Sequence, residues 1–126
     1  MRLYGVRIFV EDLEKARAFY GETLKLKETW AMPEANAAGY DLESGELIVE
    51  QEDMDGGEAD LIGRFVGASL EVDDIDAVYA ELTRRGVEFE GPPARQVWDG
   101  TLAHFKDPAG NILTLVDRHE SAKANV

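Results

Sequence analysis

The stretch Phe105-Lys106-Asp107-Pro108-Ala109-Gly110-Asn111-Ile112-Leu113 sets the reading of the whole chain. Its centre is a run of turn formers. Proline holds φ near its turn value, glycine accepts a left-handed backbone, and Asp and Asn side chains bond to backbone groups close by. On either side apolar residues alternate with polar ones, which predicts strands over about 101–106 and 111–117. The same arrangement occurs earlier, where residues 40–49 turn at Gly45.

The openings of the two halves match as well as their ends. Val6-Arg7-Ile8-Phe9-Val10-Glu11-Asp12-Leu13 leads into a helical segment through Tyr20 and Leu24. Ala68-Ser69-Leu70-Glu71-Val72-Asp73-Asp74-Ile75 leads into another through Tyr79 and Leu82. In each, an aspartate (Asp12, Asp74) stands where its carboxylate can accept the free N–H groups of a helix N-terminus. Leu13, Ala16, Tyr20 and Leu24 share one helical face, as do Ile75, Val78 and Leu82. Arg84-Arg85-Gly86 ends the second helix with cations at the negative pole and glycine beyond it. Strands are expected near 26–32, 37–42 and 46–51, then near 87–90, 101–106 and 111–117. The chain therefore reads as one α+β domain, residues 1–126, written as two βαβββ modules over 1–51 and 67–117. An acidic, glycine-containing solvated linker spans 52–66, and a polar tail follows from 120 to 126. The linker lacks the spaced ligands and closing glutamate of a calcium-binding loop.

Composition narrows the function classes. The net charge of −13 argues against nucleic acid and anionic membranes as partners; it would attract a cationic ligand, or serves only to keep the protein soluble. No apolar run approaches the ~18 residues of a membrane span, and the N-terminus enters a strand at once, so neither membrane insertion nor a signal peptide is expected. Absence of cysteine removes thiolate ligands, disulfides and a cysteine nucleophile. A cytoplasmic location is the expectation.

Two βαβββ units, each opened by strand, aspartate and amphipathic helix, together with the aromatic-x-DPxGN turn, resemble the vicinal oxygen chelate superfamily. That group includes glyoxalase I, extradiol dioxygenases and bleomycin-resistance proteins. The resemblance implies two modules forming a cup-shaped mixed sheet with helices outside, a homodimer, and a small-molecule ligand in the cup between the modules. It also implies four metal-ligand positions, where an ion would act as a Lewis acid on neighbouring substrate oxygens. Counting from Asp12, Asp74 and the DPxGN turn, those positions fall on Gly5, Gly67 and Thr114, with Val49 as the counterpart of Thr114. Glycine and valine offer no donor and a lone threonine hydroxyl is a poor one, so no resident metal is expected. A one-residue slip would bring in Glu50, but it would also turn that side chain to the other sheet face.

Alternation along the strands then places Arg7, Phe9, Ser69 and Glu71 in the cup, with Leu47, Val49, Gln51, Ile112, Thr114 and Val116. Trp30, Tyr40 and Trp98 line or rim it in the related proteins, and His104 lies on a strand that can face it. Arg7 either pairs with Glu71 and fills the space or grips an anionic ligand. Trp98 either covers a ligand or covers the sheet edge. His104 reads as a packed strand histidine or as a site residue. The expected function is metal-free binding of a small molecule, as in the bleomycin-resistance branch. The alternative is a lyase, isomerase or dioxygenase acting on a small oxygenated metabolite, with a relocated metal site or none; no catalytic residue is identified.

Overall fold

A computed structural model describes residues 1–53, 55–57 and 59–119; the expected polar tail lies outside the described residues. The architecture is α+β, with two βαβββ-type sheets of four and five strands. No described helix is long and apolar enough to cross a membrane. Two compact units form: Met1–Val66 with Asp107–Asn111, and Gly67–Lys106 with the described residues from Ile112 on. The hairpin turn Asp107–Asn111 is thus built into the first unit, although both strands it joins belong to the second.

In the first unit, β1 (Gly5–Val10) leads through α1 (Leu13–Arg17) into a π-helical segment, Ala18–Thr23. Strands β2 (Lys27–Met32), β3 (Ala37–Asp41) and β4 (Glu46–Gln51) follow. The sheet order is β1-β4-β3-β2, with β1 parallel to β4 and the other pairs antiparallel. Asp12 caps α1 as expected, its carboxylate accepting the Lys15 N–H at 3.1 Å. The Leu24 N–H reaches back to the Phe19 carbonyl rather than to residue 20, and this wider turn buries Phe19 beside Tyr20. Ile8, Val10, Ala16, Tyr20, Tyr40, Leu47 and Val49 are all at most 1% exposed and form the core of this unit.

The turn locks in through side-chain hydrogen bonds. Tyr20 Oη donates to Asp107 Oδ2 at 2.8 Å, and Asn111 Nδ2 donates to the Phe9 carbonyl at 2.8 Å. The Asn111 side-chain oxygen accepts the Gly63 N–H at 2.9 Å, while Asp107 Oδ1 accepts the N–H groups of Ala109 and Asn111. Among the described residues no buried side-chain polar atom lacks a partner, which is what burial of such groups requires. Among the described residues of the linker none is buried, though its second half is tied to the first unit. Ala59–Leu61 forms a 3-10 turn and Ile62 bridges to Phe9 in parallel fashion, because the chain must run back along β1 to be tied by Asn111.

In the second unit, β5 (Phe65–Glu71) precedes α2 (Ile75–Arg84), then come β6 (Glu88–Phe89), β7 (Ala94–Arg95), β8 (Thr101–Lys106) and β9 (Ile112–Asp117). The order is β5-β9-β8-β6, with β7 also pairing to β8. Asp74 caps α2 by accepting the Ala77 N–H, and Asp117 Oδ2 accepts the Ile75 N–H at 3.1 Å. Gly86, at φ +92°, closes the helix. Ile75, Leu82, Ala103, Phe105, Leu113 and Leu115 are buried, and Tyr79, Phe89 and Phe105 form a chain of ring contacts. Strand β7 was not anticipated; a two-residue ladder after Pro92-Pro93 is too short to show a period.

Candidate ligand-binding site

Register resolves the faces of the first sheet. Cross-strand partners run Arg7–Ile48–Gly39–Trp30 in one row, flanked by Gly5–Glu46–Asp41–Lys27 and Phe9–Glu50–Ala37–Met32. These rows lie on the face opposite the helix. The helix-facing rows are Val6–Leu47–Tyr40–Glu28 and Ile8–Val49–Ala38–Ala31. Leu47 and Val49 therefore point into the core, against the expectation; Gln51 falls on the same side of the strand but is exposed, its Oε1 accepting the Leu13 N–H at 2.8 Å. Tyr40 is also corrected. It is fully buried beneath the helix, 6.0 Å from the Tyr20 ring, with its hydroxyl donating to Glu28 Oε1 at 3.2 Å.

The slip has a physical source. Residues 42–45 join β3 to β4, whereas residues 107–111 join β8 to β9, so the first connection is shorter by one. Matching the two halves on their turn glycines then inverts the parity of the following strand. By register, Thr114 pairs with His104 as Ile48 pairs with Gly39. Ile48, not Val49, is the counterpart of Thr114, and Glu50 lies on the open face after all.

Glu50 is nevertheless engaged. Arg7 Nε and Nη2 donate to its two oxygens at 2.5 and 3.0 Å, a bidentate pair in which the arginine side chain remains 62% exposed. The guanidinium carbon also sits 5.3 Å from the centroid of the buried Phe9 ring. The second carboxylate of this face, Glu46, accepts from Thr29 Oγ1 at 3.0 Å and from Trp30 Nε1 at 3.2 Å. A β-bulge delivers that tryptophan: the register shifts between Glu28 and Trp30, placing Trp30 opposite Gly39 rather than Ala38. Without the extra residue its indole would face the helix.

The donor set does not fit a divalent ion. Gly5 has no donor, and a Cβ added there would meet the Glu46 carbonyl at 2.8 Å, so a coordinating side chain is sterically barred as well as missing. Ile48 offers none and Glu50 is held by Arg7. In the second unit Gly67 has none, and the Thr114 hydroxyl, only 3% exposed, lies 2.8 Å from His104 Nδ1. Among the described residues no three His, Asp or Glu side chains converge on a metal position.

The other expected residues fall within the second unit. His104 and Thr114 share a sheet face with Leu102, Ile112 and Val116, opposite the buried Phe105, Leu113 and Leu115. Ser69 and Glu71 lie on the exposed side of β5, where Arg118 Nε reaches Glu71 at 2.7 Å. Trp98 is 50% exposed in a tight loop in which the Gln96 N–H bonds the Gly100 carbonyl, Asp99 adopts φ +74° and Arg95 pairs with Asp99. That arginine, with a smaller contribution from His119, holds the Asp99 carboxyl below its usual range.

The model of the Glyoxalase/Bleomycin resistance protein/Dioxygenase superfamily matches residues 2–115. The chain belongs to this superfamily. It is 30% identical over 127 residues to the uncharacterized protein YraH of Bacillus subtilis (strain 168), covering 91% of the chain and 97% of YraH. YetH from the same organism is 31% identical over 116 residues, covering 87% and 92%. A superfamily member from Sphaerobacter thermophilus DSM 20745 superposes with a TM-score of 0.76 at 30% identity, covering 93% of this chain and 97% of that one. Within the superfamily, the site must be read from this chain's own residues, because fold does not fix chemistry.

Proposed function

We propose that this superfamily member is a metal-free binding protein for a small organic molecule, and that its ligand engages the open face of the first sheet. The observation that carries the reading is the Arg7–Glu50 pair. A bidentate guanidinium stands against the nearest carboxylate of that face, supplying fixed positive charge where a cation would otherwise be needed. Beside it Ile48 and Trp30 provide half-buried apolar and aromatic surface over the buried Phe9 ring, with Glu46, Asp41 and Lys27 as the charged groups next to them. A homodimer in the cytoplasm, without nucleic acid or membrane partners, completes the proposal; the charge of −13 supports those exclusions.

A second reading has its own observation. His104 Nδ1 lies 2.8 Å from a buried threonine hydroxyl, which fixes the ring and would suit a histidine acting in proton transfer on a small oxygenated metabolite. Elemental analysis after dialysis against nickel, zinc, manganese and iron separates the two. Less than about a tenth of an ion per chain, with organic compounds raising Tm, supports the binding reading. About one ion per chain, lost in His104→Ala, overturns it in favour of an enzyme.

A further inference from the structure

Away from the first sheet, the second unit brings a hydroxyl, an imidazole and a carboxylate into line. Thr101 opens β8, and register sets it between Arg95 of β7 and Asp117 of β9, so the three side chains share one row on one face. His119 follows β9 by two residues. It takes a left-handed backbone, φ +57°, and its own N–H bonds to Asp117 Oδ1 at 2.9 Å. The ring spans two members of the row. Its Nε2 is 2.8 Å from Thr101 Oγ1, and its Nδ1 is 3.4 Å from Asp117 Oδ1.

Helix capping explains only part of this. Asp117 Oδ2 accepts the Ile75 N–H at 3.1 Å, which supports the start of α2. The other oxygen is turned to His119, where a carboxylate favours the tautomer with its proton on Nδ1. That tautomer makes Nε2 the acceptor and the Thr101 hydroxyl the donor. Satisfying a buried hydroxyl needs any acceptor. A hydroxyl bonded to an imidazole that is oriented in turn by a carboxylate is the arrangement that activates a nucleophile. Thr101 and Asp117 are buried, whereas the His119 side chain is 29% exposed, so the relay can be reached from the side of the ring. Arg95, in the same row as Thr101, donates from Nε and Nη2 to Asp99 Oδ1. A guanidinium has five N–H groups, so donors remain there for a negatively charged oxygen.

We infer that Thr101 and His119 form the catalytic pair of an acyl-transfer site for small activated esters, with Asp117 as the positioning residue that fixes the imidazole. It is independent of the ligand-binding reading, since it uses no residue of the first sheet. The Thr101 hydroxyl adds to the ester carbonyl carbon while its proton passes to His119 Nε2. The bond from that carbon to the leaving oxygen then breaks as the imidazolium returns the proton to it, leaving acyl-threonine and an alcohol. Water, deprotonated by the same imidazole, adds to the acyl carbon. Thr101 Oγ1 departs with the proton and the carboxylic acid is released. Arg95 supplies positive charge for the oxyanion formed in each addition.

The test measures nitrophenol release from p-nitrophenyl acetate by the full chain. A second probe, an alkyl fluorophosphonate, leaves a stable phosphonyl group on an activated hydroxyl: the P–O bond forms as the P–F bond breaks, and fluoride departs with the proton. Saturable release is expected, with the label on the peptide that carries Thr101. Thr101→Val, close in shape, should lose the label and cut release about tenfold or more, and His119→Gln should do the same. Thr101→Ser keeps the hydroxyl and should keep both signals, which answers for any loss of fold in the valine variant. Asp117→Asn retains an oxygen for the Ile75 N–H and should move the pH profile of release. A carboxylate that served only as a helix cap would leave the profile in place, and that result would remove Asp117 from the site. No label at Thr101, equal release by wild type and Thr101→Val, or a label that persists in His119→Gln overturns the inference.

Discussion

Tyr20 donates its hydroxyl proton to Asp107 across 2.8 Å, joining a π-helical turn near the N-terminus to a hairpin turn far along the chain. Both groups are buried, and desolvation, with the neighbouring Asp107 charge, drives the Tyr20 phenol well above its usual pKa.

Tyr20→Phe leaves Asp107 its remaining donors from Ala109 and Asn111. The loss is then one hydrogen bond to a buried charged group, about 1–3 kcal/mol. Thermal unfolding should show a Tm lower by several degrees. An unchanged Tm would mean that Asp107 is served fully by its own turn. Asn111→Ala should cost more, because it strands the Phe9 carbonyl and the Gly63 N–H together.

Gly5→His places a metal ligand at the first of the expected positions, yet should not create a metal site. Its Cβ would stand 2.8 Å from the Glu46 carbonyl and 3.1 Å from Ile48 Cδ1, a distance at which backbone must shift. The variant is expected to lose about 1–3 kcal/mol through overpacking and to retain no stoichiometric nickel or zinc after dialysis. Tight uptake of one ion with unchanged stability would contradict the steric argument.

Glu28 links acidity to stability. Its bonds to the Arg17 guanidinium and the Tyr40 hydroxyl hold its carboxyl below the ordinary glutamate range. A depressed folded-state pKa gives stabilisation that is present above the unfolded value and is lost as pH falls through the folded one. The expected outcome is a Tm that declines on acidification below about pH 4–5, with a shallower decline in Glu28→Gln. On the alkaline side burial, aided by Glu28, pushes Tyr40 up to about 12. Stability tied to that raised pKa is full below the unfolded value near 10 and is lost as pH rises toward 12 and beyond. A tyrosinate absorbance titration should lose its step near 12 in Tyr40→Phe.

Gly86 tests backbone strain by itself. It sits at φ +92° with nothing within 4 Å of an added Cβ, so only conformation resists a side chain. Gly86→Ala should cost about 1 kcal/mol in chemical denaturation with an unchanged m-value. Gly86→Asn should cost less, since asparagine tolerates the left-handed region. Equal losses would show that the C-terminal turn of α2 relaxes instead.

Much of the fold was readable because its signals are local. Asp12 and Asp74 cap helices, Gly86 ends one, and the turn around Pro108 separates β8 from β9, each through its own chemistry. Half of the candidate face was readable for the same reason, since Arg7, Phe9 and the parity of Thr114 follow from strand alternation. What was not readable depended on counting through a loop. One residue fewer between β3 and β4 moved Val49 inward and Glu50 outward, and a single bulged residue decided the face of Trp30. Tyr40 was lost to the same problem: alternation identifies two faces but does not say which of them a helix will cover.

The membership of Asp107–Asn111 in the first unit bears on how the protein is made. A ribosome that has extended only as far as Val66 has emitted four strands and a capped helix, yet Tyr20, the Phe9 carbonyl and the Gly63 N–H still await Asp107 and Asn111, which are not yet synthesised. Vectorial folding that forms an N-terminal piece first would leave that piece without these three hydrogen bonds. The N-terminal half must stay provisional until Asn111 leaves the exit tunnel, and the long closure that finally secures it is of the kind that slows folding.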